Sequence, residues 1–547
     1  MRRSFQVGVI CLLCIAPCVL VAKESGLHKR RQTRVKQAHR VKQAVTKHCA
    51  QQPIRNQKTN GDEDRYSDLR GSFAKGLARD KEGAVQADAY SSMKRALDSG
   101  RPSDFDKIVM APGGRRLANP EASFCYSLVC NDSWAPTMPP APQFASEQTA
   151  SEMVELYWSA LLRDVPFNLF DRDPIALAAR EELGSLKKLK APSNNGKITE
   201  KTLLRGNSPG ELEGPYISQF FYQKIPYGTT TLYPDQTVPA QGRQNDFMTK
   251  RQEWKYIMDG NTPKRQIEME RWQSILRTPR DLAEYVHQDM PGQAVRNAAL
   301  LLLSYGPIAW DRNNPYIHRK TDGALITFGA ADLLNLLQEA TQEGMKAAWV
   351  QKWQVNRRLR PEEFGYQVER QLANGEERGI HPVLLDSQAL ERSKEVYGSY
   401  LLPIAYPEGA PTHPSYPAAH AVAMGAGITI LKAFFDEDFE LPNPVQPDIT
   451  NTTLVPYDGT LTVGGELNKL AGNIALGRDH AGVHYRSDSE GGLRLGEKVA
   501  IELLNNHGFL ASEDFDGFHL TTFSGKEEIV GKKEQRETVA LGRKPGL

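Results

Sequence analysis

The chain has 547 residues, of which 40% are hydrophobic and 24% charged, with six cysteines and a formal net charge of +2. That length is ample for a large buried core. The composition excludes a collagen-like fibre, a wholly disordered chain and a multi-span membrane protein, and six cysteines are too few for a disulfide-built mini-scaffold.

The charge is unevenly placed. Residues 23–60 hold eleven Lys/Arg against one acid, so the remaining body has about ten more acidic than basic side chains. A basic arm on an acidic body does not have the balance of a nucleic-acid-binding protein, and the arm lacks interleaved aromatics. Ahead of it, Arg2 and Arg3 precede an apolar run from Val7 to Ala22. The run is shorter than the roughly 20 residues of a comfortable membrane span. Charged start, apolar middle and small residue before Lys23 predict a cleaved export signal over 1–22, and Arg2-Arg3-Ser4-Phe5 has a twin-arginine look. The reading implies a secreted or otherwise extracytoplasmic protein, with no stable membrane insertion after cleavage. Cys11, Cys14 and Cys18 would leave with the signal; Cys125 and Cys130 are able to pair after export.

Residues 23–65 are polar, basic and partly repetitive (Arg34-Val35-Lys36-Gln37-Ala38, then Arg40-Val41-Lys42-Gln43-Ala44), which predicts a disordered or marginally helical arm. Helical periodicity then recurs over 146–163, 281–304, 330–353, 418–435, 465–476 and 490–506. Gly/Pro-rich loops fill 192–245 and 403–417. The fold class is mainly α, a large helical bundle with long loops over 66–510, followed by a polar extension over 511–547.

Three segments concentrate basic side chains. In Lys352-Trp353-Gln354-Val355-Asn356-Arg357-Arg358-Leu359-Arg360-Pro361, the eight-residue spacing lets Lys352 and Arg360 lean to one side of a helix that ends near Pro361. In His413-Pro414-Ser415-Tyr416-Pro417-Ala418-Ala419-His420, the last histidine stands near a helix N-terminus, where free N–H groups favour an anion. In Gly477-Arg478-Asp479-His480-Ala481-Gly482-Val483-His484-Tyr485-Arg486-Ser487-Asp488, Asp488 can fix the tautomer of His484. Arg478 and His484 meet only if the chain turns, which Gly482 permits. Lys, two Arg, two His and a helix N-terminus suit a tetrahedral oxyanion.

Together these segments resemble the vanadium-dependent haloperoxidases, within the type 2 phosphatidic acid phosphatase superfamily, whose pattern is Lys…Arg-Pro, Pro-Ser-Gly-His and Arg-x5-His. The Lys-to-Arg spacing and Pro411-Thr412-His413-Pro414-Ser415-Tyr416-Pro417 resemble the red-algal bromoperoxidase branch. So do Phe144-Ala145-Ser146-Glu147-Gln148-Thr149-Ala150, Glu155-Leu156-Tyr157-Trp158, Gly214-Pro215-Tyr216-Ile217-Ser218-Gln219-Phe220 and Asp281-Leu282-Ala283-Glu284-Tyr285-Val286-His287. The likeness covers about 66–510.

The resemblance implies vanadate as cofactor, with His484 on the metal. Lys352, Arg360, Arg478 and the Ala419 backbone N–H would meet its oxygens, His420 would act as acid–base, and His413 would tune halide preference toward bromide. The implied substrates are hydrogen peroxide, halide and small organic acceptors, and the implied assembly is a homo-oligomer. One departure matters: the family Ser-Gly is here Ala418-Ala419. Ala418 cannot donate the serine hydrogen bond, a loss of roughly 1.5–3 kcal/mol toward a charged group. Ala419 keeps its N–H available if its φ is negative. The same cage could hold phosphate, with His484 as nucleophile of a phosphohydrolase. A degenerate binding protein and a zinc hydrolase using His480 and His484 are further alternatives, the latter lacking the metalloprotease glutamate.

Overall fold

The computed structural model describes residues 26–50, 55–129, 131–232 and 236–532. The expected export signal lies outside them, as does Cys130. Its organising element is the helix Ala419–Phe434, which is buried on almost every side. An all-round apolar helix belongs at the centre of a bundle. Here it packs along Arg486–Leu510, Ala330–Val350, Val463–His480 and Gln293–Ser304. Gly425 and Gly496 make the closest approach workable: a Cβ at either would collide with the backbone of the facing helix, at Leu493 and Val422.

The helices used below are, in chain order, α1 (Gly26–Ala50), α2 (Glu147–Leu162), α3 (Pro279–Gln288), α4 (Gln293–Ser304), α5 (Ala330–Val350), α6 (Pro361–Asn374), α7 (Ala419–Phe434), α8 (Val463–His480) and α9 (Arg486–Leu510). Their starts are chemically marked. Ser146 caps α2 by accepting from Thr149 N at 3.2 Å, and Thr278 caps α3 in a capping box with Asp281, with Pro279 in the first turn. Sheet is confined, among the described residues, to antiparallel two-stranded ribbons. The mainly helical expectation holds.

Two apolar cores meet at the site. One surrounds α7 and takes in α3, α4, α5, α8 and α9; the other surrounds α2 and takes in Leu359, the 401–410 loop and Ala481–Tyr485. The segments bearing Arg360 and His484 thus come from one core, and the helices bearing His420 and Arg478 from the other.

The structure differs from the sequence reading in four places. The 23–65 arm, expected to be disordered or marginally helical, contains the 25-residue helix α1. Its basic side chains are exposed, while Ala38, Val41, Ala44, Val45 and Cys49 are half-buried, a stripe at helical spacing that gives it a side to lie on. The polar extension after 511 is in part core: the hairpin Phe518–Thr521 with Glu527–Val530 buries Phe518, Leu520 and Val530 against α7 and α9, because the apolar residues alternate among the charges. The pattern over 281–304 is two helices, broken at Pro291 and at Gly292, whose φ is +73°. Finally, Lys352 and Arg360 do not share a helix. After α5 the chain makes a π-turn over Gln351–Asn356, Arg357 adopts a left-handed conformation (φ 38°), and Pro361 opens α6 instead of closing a helix.

Candidate active site

Each of the three basic segments delivers its residues at an irregular piece of backbone. Lys352 sits in the π-turn, wholly buried, and its Nζ donates to Pro414 O (2.8 Å) and Ser415 O (2.9 Å). An ammonium has three donors, so one remains for another acceptor. Arg360 stands just before α6, also wholly buried. Its Nε donates to His413 O at 2.9 Å, Nη1 to Val483 O at 2.7 Å and to His484 Nε2 at 2.8 Å, and Nη2 to His413 Nδ1 at 3.0 Å. Arg478 lies in the last turn of α8 and donates through Nη1 to Val286 O at 2.8 Å, while its Nε is buried with no hydrogen-bond partner.

The turn that Gly482 was expected to permit is present, with φ +80°. It returns the chain so that His484, two residues before α9, faces Arg360. His484 and Asp488 do not lie on one helix face, since His484 precedes α9, yet Nδ1 is 2.9 Å from Asp488 Oδ2. Asp488 is wholly buried and also accepts from Ser415 Oγ, from Arg358 Nη1 at 2.8 Å and from Tyr485 N at 3.2 Å. With so many donors it stays an acceptor, so His484 carries its proton on Nδ1 and its lone pair on Nε2. That is the tautomer a metal-ligating imidazole needs.

The electrostatics are those of a cage short of negative charge. Burial, and after it Arg360 and Arg478, push the Lys352 ammonium well below its ordinary pKa. Burial, with Arg478, lowers Arg360 to about 10. Burial together with Arg360, Lys352 and Arg478 keeps His484 neutral, and burial together with Lys352 and Arg360 keeps His413 neutral. The carboxylate that hydrogen-bonds to His484, Asp488, lies behind the imidazole. The spare Lys352 donor, the orphaned Arg478 Nε and the unprotonated His484 Nε2, which accepts from Arg360 Nη1, fit a multiply charged oxyanion with one metal–nitrogen bond. Vanadate is such a group.

Ala418 is wholly buried at the N-cap of α7 and makes no side-chain cap. Ala419 is the first helical residue and is not among the left-handed residues, so the condition for its N–H to be usable is met. His420 follows, half-buried, with Nε2 3.0 Å from Asp289 Oδ1. His413 lies beside Arg360 and against Trp349, ring centroids 5.1 Å apart. The structure therefore brings the buried Lys352, Arg360, His413, Arg478 and His484 close together, with Ala419 and His420 at the start of α7. His480 points elsewhere. Its Nδ1 is 3.0 Å from Ser159 Oγ and its Nε2 3.2 Å from Tyr216 Oη, so it is a buried core histidine and not a partner of His484 for zinc.

Sequence reasoning missed Asp289, Ser415, Arg358 and Tyr406. Arg358 and Ser415 lie inside the motif segments but look like any other Arg or Ser there. Asp289 has no spacing relation to His420; its position is created by the break between α3 and α4. Tyr406 sits in a loop whose path the sequence does not reveal.

Known proteins resemble the chain in sequence and in fold. The family described as the VCPO second helical-bundle domain matches residues 333–510. The vanadium-dependent bromoperoxidase of Corallina pilulifera is 32% identical over 540 residues, spanning 83% of this chain and 90% of that protein. The vanadium-dependent bromoperoxidase of Ascophyllum nodosum is 32% identical over 487 residues, spanning 84% of this chain and 86% of its own length. In fold, the chain is similar to the homohexameric structure of the second vanadate-dependent bromoperoxidase of Ascophyllum nodosum, with a TM-score of 0.86, 24% identity and coverage of 96% and 94%. With 32% identity to these bromoperoxidases over more than four-fifths of its length, the chain belongs to the vanadium-dependent haloperoxidase family.

Proposed function

We propose that the chain is a haloperoxidase that uses vanadate, hydrogen peroxide and bromide or iodide to generate an oxidised halogen species for organic acceptors. The observation that carries this is the cage itself: buried cations that make no ion pair with a carboxylate among the described residues, beside a neutral imidazole whose Nε2 lone pair accepts from Arg360 Nη1 and would turn to a metal in its place. His484 would hold vanadium through Nε2. Lys352, Arg360 and Arg478 would neutralise the oxyanion oxygens, and the Ala419 N–H would donate to one of them. Bound there, vanadate supplies a Lewis acid that activates peroxide toward halide.

The remaining work falls to side chains. Asp488, pinned by Arg358 and Ser415, keeps the His484 proton on Nδ1. Asp289 accepts from His420 Nε2, which leaves His420 Nδ1 to take and return a proton. The buried cations draw electron density from whatever they hold and are preorganised to stabilise developing negative charge. The curated relatives favour this chemistry over phosphoester hydrolysis in the same cage. The N-terminal Arg2-Arg3 and apolar run support export from the cytoplasm, and the homohexameric neighbour supports a homo-oligomer.

The test is halide oxidation by residues 23–547 with peroxide, with and without orthovanadate, beside His484→Ala. Vanadate-dependent bromide or iodide oxidation that His484→Ala abolishes is the expected result. Phosphate-ester hydrolysis without any halide oxidation would overturn the proposal in favour of the phosphohydrolase.

A further inference from the structure

Arg478 is the cage cation held from outside the three motif segments. Its Nη1 donates to Val286 O at 2.8 Å and to Tyr406 Oη at 3.3 Å, and its guanidinium carbon lies 5.2 Å from the centre of the Tyr406 ring. Tyr406 Oη in turn donates to Ala283 O at 2.6 Å. Both carbonyls belong to α3, and Val286 O is in its last turn. Carbonyls there have no partner within the helix, and the helix dipole favours a cation beside them. Tyr406 therefore bridges Arg478 to the middle of α3, while Val286 O holds it at the end.

A second contact fixes the tyrosine. The His287 ring, also from the last turn of α3, stacks on Tyr406 with centroids 4.0 Å apart and planes 10° apart. His287 Nε2 is 2.7 Å from Glu408 Oε1, two residues beyond Tyr406, and Nδ1 is 3.4 Å from Glu284 Oε2. Gln288 Nε2 also lies 3.3 Å from Nδ1. The stack and the ion pair tie the 403–410 loop to α3 independently of the Ala283 hydrogen bond. The next residue but one after His287 is Asp289, which holds His420, so one helix end sets both Arg478 and His420.

We infer that Tyr406 is a positioning residue for Arg478 and that His287 with Glu408 holds Tyr406 in place. The inference rests on the proposed function, in which Arg478 meets the vanadate oxygens. Without the phenol, the guanidinium keeps Val286 O but loses its second anchor, and it can swing about that single bond.

The experiment is calorimetric titration of orthovanadate into the apo-protein, full mature chain, for the parent, Tyr406→Phe, His287→Gln, Arg478→Lys and the double variant Tyr406→Phe/Arg478→Lys. Losing one hydrogen bond predicts a Kd about five-fold higher in Tyr406→Phe. Because the residue acts through Arg478, the same change in the Arg478→Lys background should matter by less than about two-fold. An unchanged Kd in Tyr406→Phe, or an equal loss in both backgrounds, overturns the inference. Should Tyr406→Phe fail to fold, His287→Gln decides: a raised Kd supports the device and the parent value overturns it. If the parent binds no orthovanadate, the cofactor reading falls. Crystal structures of the parent and Tyr406→Phe then decide the positioning role, which a guanidinium left in place would refute.

Discussion

Among the buried cations of this fold, two groups are built on opposite plans. Arg163 and Arg280 converge on Asp246 and Asp164: Arg163 Nη1 pairs with Asp246, Arg280 Nε is 2.5 Å from Asp164 Oδ1, and Arg280 Nη2 is 3.3 Å from Asp246 Oδ2. Burial works against charge there, but the matched acids push Arg280 above its ordinary value, and the two arginines hold Asp246 below the usual carboxylate range. In the cage, burial and neighbouring cations push Lys352 and Arg360 down. The partners separate a cluster that supplies its own counter-charge from one that must receive it: the first pairs with carboxylates, whereas Lys352 and Arg360 donate to backbone carbonyls and imidazoles. The first holds helices together; the second stores unfavourable charge that a ligand can relieve.

The comparison breaks most readily at Asp246. Asp246→Ala leaves Arg163 and Arg280 buried without that carboxylate, and urea unfolding should show a loss of about 3–5 kcal/mol. Arg478→Met in the cage removes one of several mutually repelling cations and leaves one helix-end carbonyl without a donor. Its apo-form should lose only about 1 kcal/mol. Equal losses at the two positions would dissolve the distinction. The next effect is that of the ligand. Orthovanadate at a hundredfold excess over its Kd should stabilise the parent by about 2.7 kcal/mol in the same denaturation assay. Asp246→Ala should gain the same increment if it still folds, whereas His484→Ala should gain almost none.

A smaller effect tests a third, balanced cluster. His287 is largely buried, which by itself lowers its pKa, but hydrogen bonds with Glu284 and Glu408 raise it from 6.5 to about 9. A raised folded-state pKa means that the stabilisation is complete below about pH 6.5 and is lost as pH climbs through about 9. Unfolding free energy measured across that window should fall less steeply in His287→Gln than in the parent. Identical slopes would show that the imidazole does not gain its charge from the two carboxylates.

Much of the cage was legible because its chemistry lies in short segments: Lys352, Arg360, His420, Arg478 and His484 could each be placed by motif. Their geometry was less so. Periodicity implied that Lys352 and Arg360 share a helix, but the π-turn and the left-handed Arg357 send the chain onward before Pro361 starts α6. Residues that act across the fold left no local trace. Asp289 reaches His420 over 131 positions and Arg358 reaches Asp488 over 130. The C-terminal hairpin was hidden for another reason: strands of four residues each carry too little alternation to stand out from a charged tail.

A further expected change is at Ala418, where the two ends of the comparison meet in one side chain. The residue is the N-cap of α7, and a serine there has two outlets. Its hydroxyl can accept from the free N–H groups of the first turn, which is worth about 1 kcal/mol of stability, or donate to an oxyanion oxygen in the cage. One hydroxyl can do both, because it accepts and donates through different positions. Ala418→Ser should therefore raise apo-stability by about 1 kcal/mol in urea unfolding and also tighten orthovanadate binding by about ten-fold. A gain in stability without a gain in affinity would mean that the hydroxyl serves the helix alone and that the cage is complete without it. A gain in affinity without one in stability would mean that the anion, and not the helix, is what a serine at this position serves.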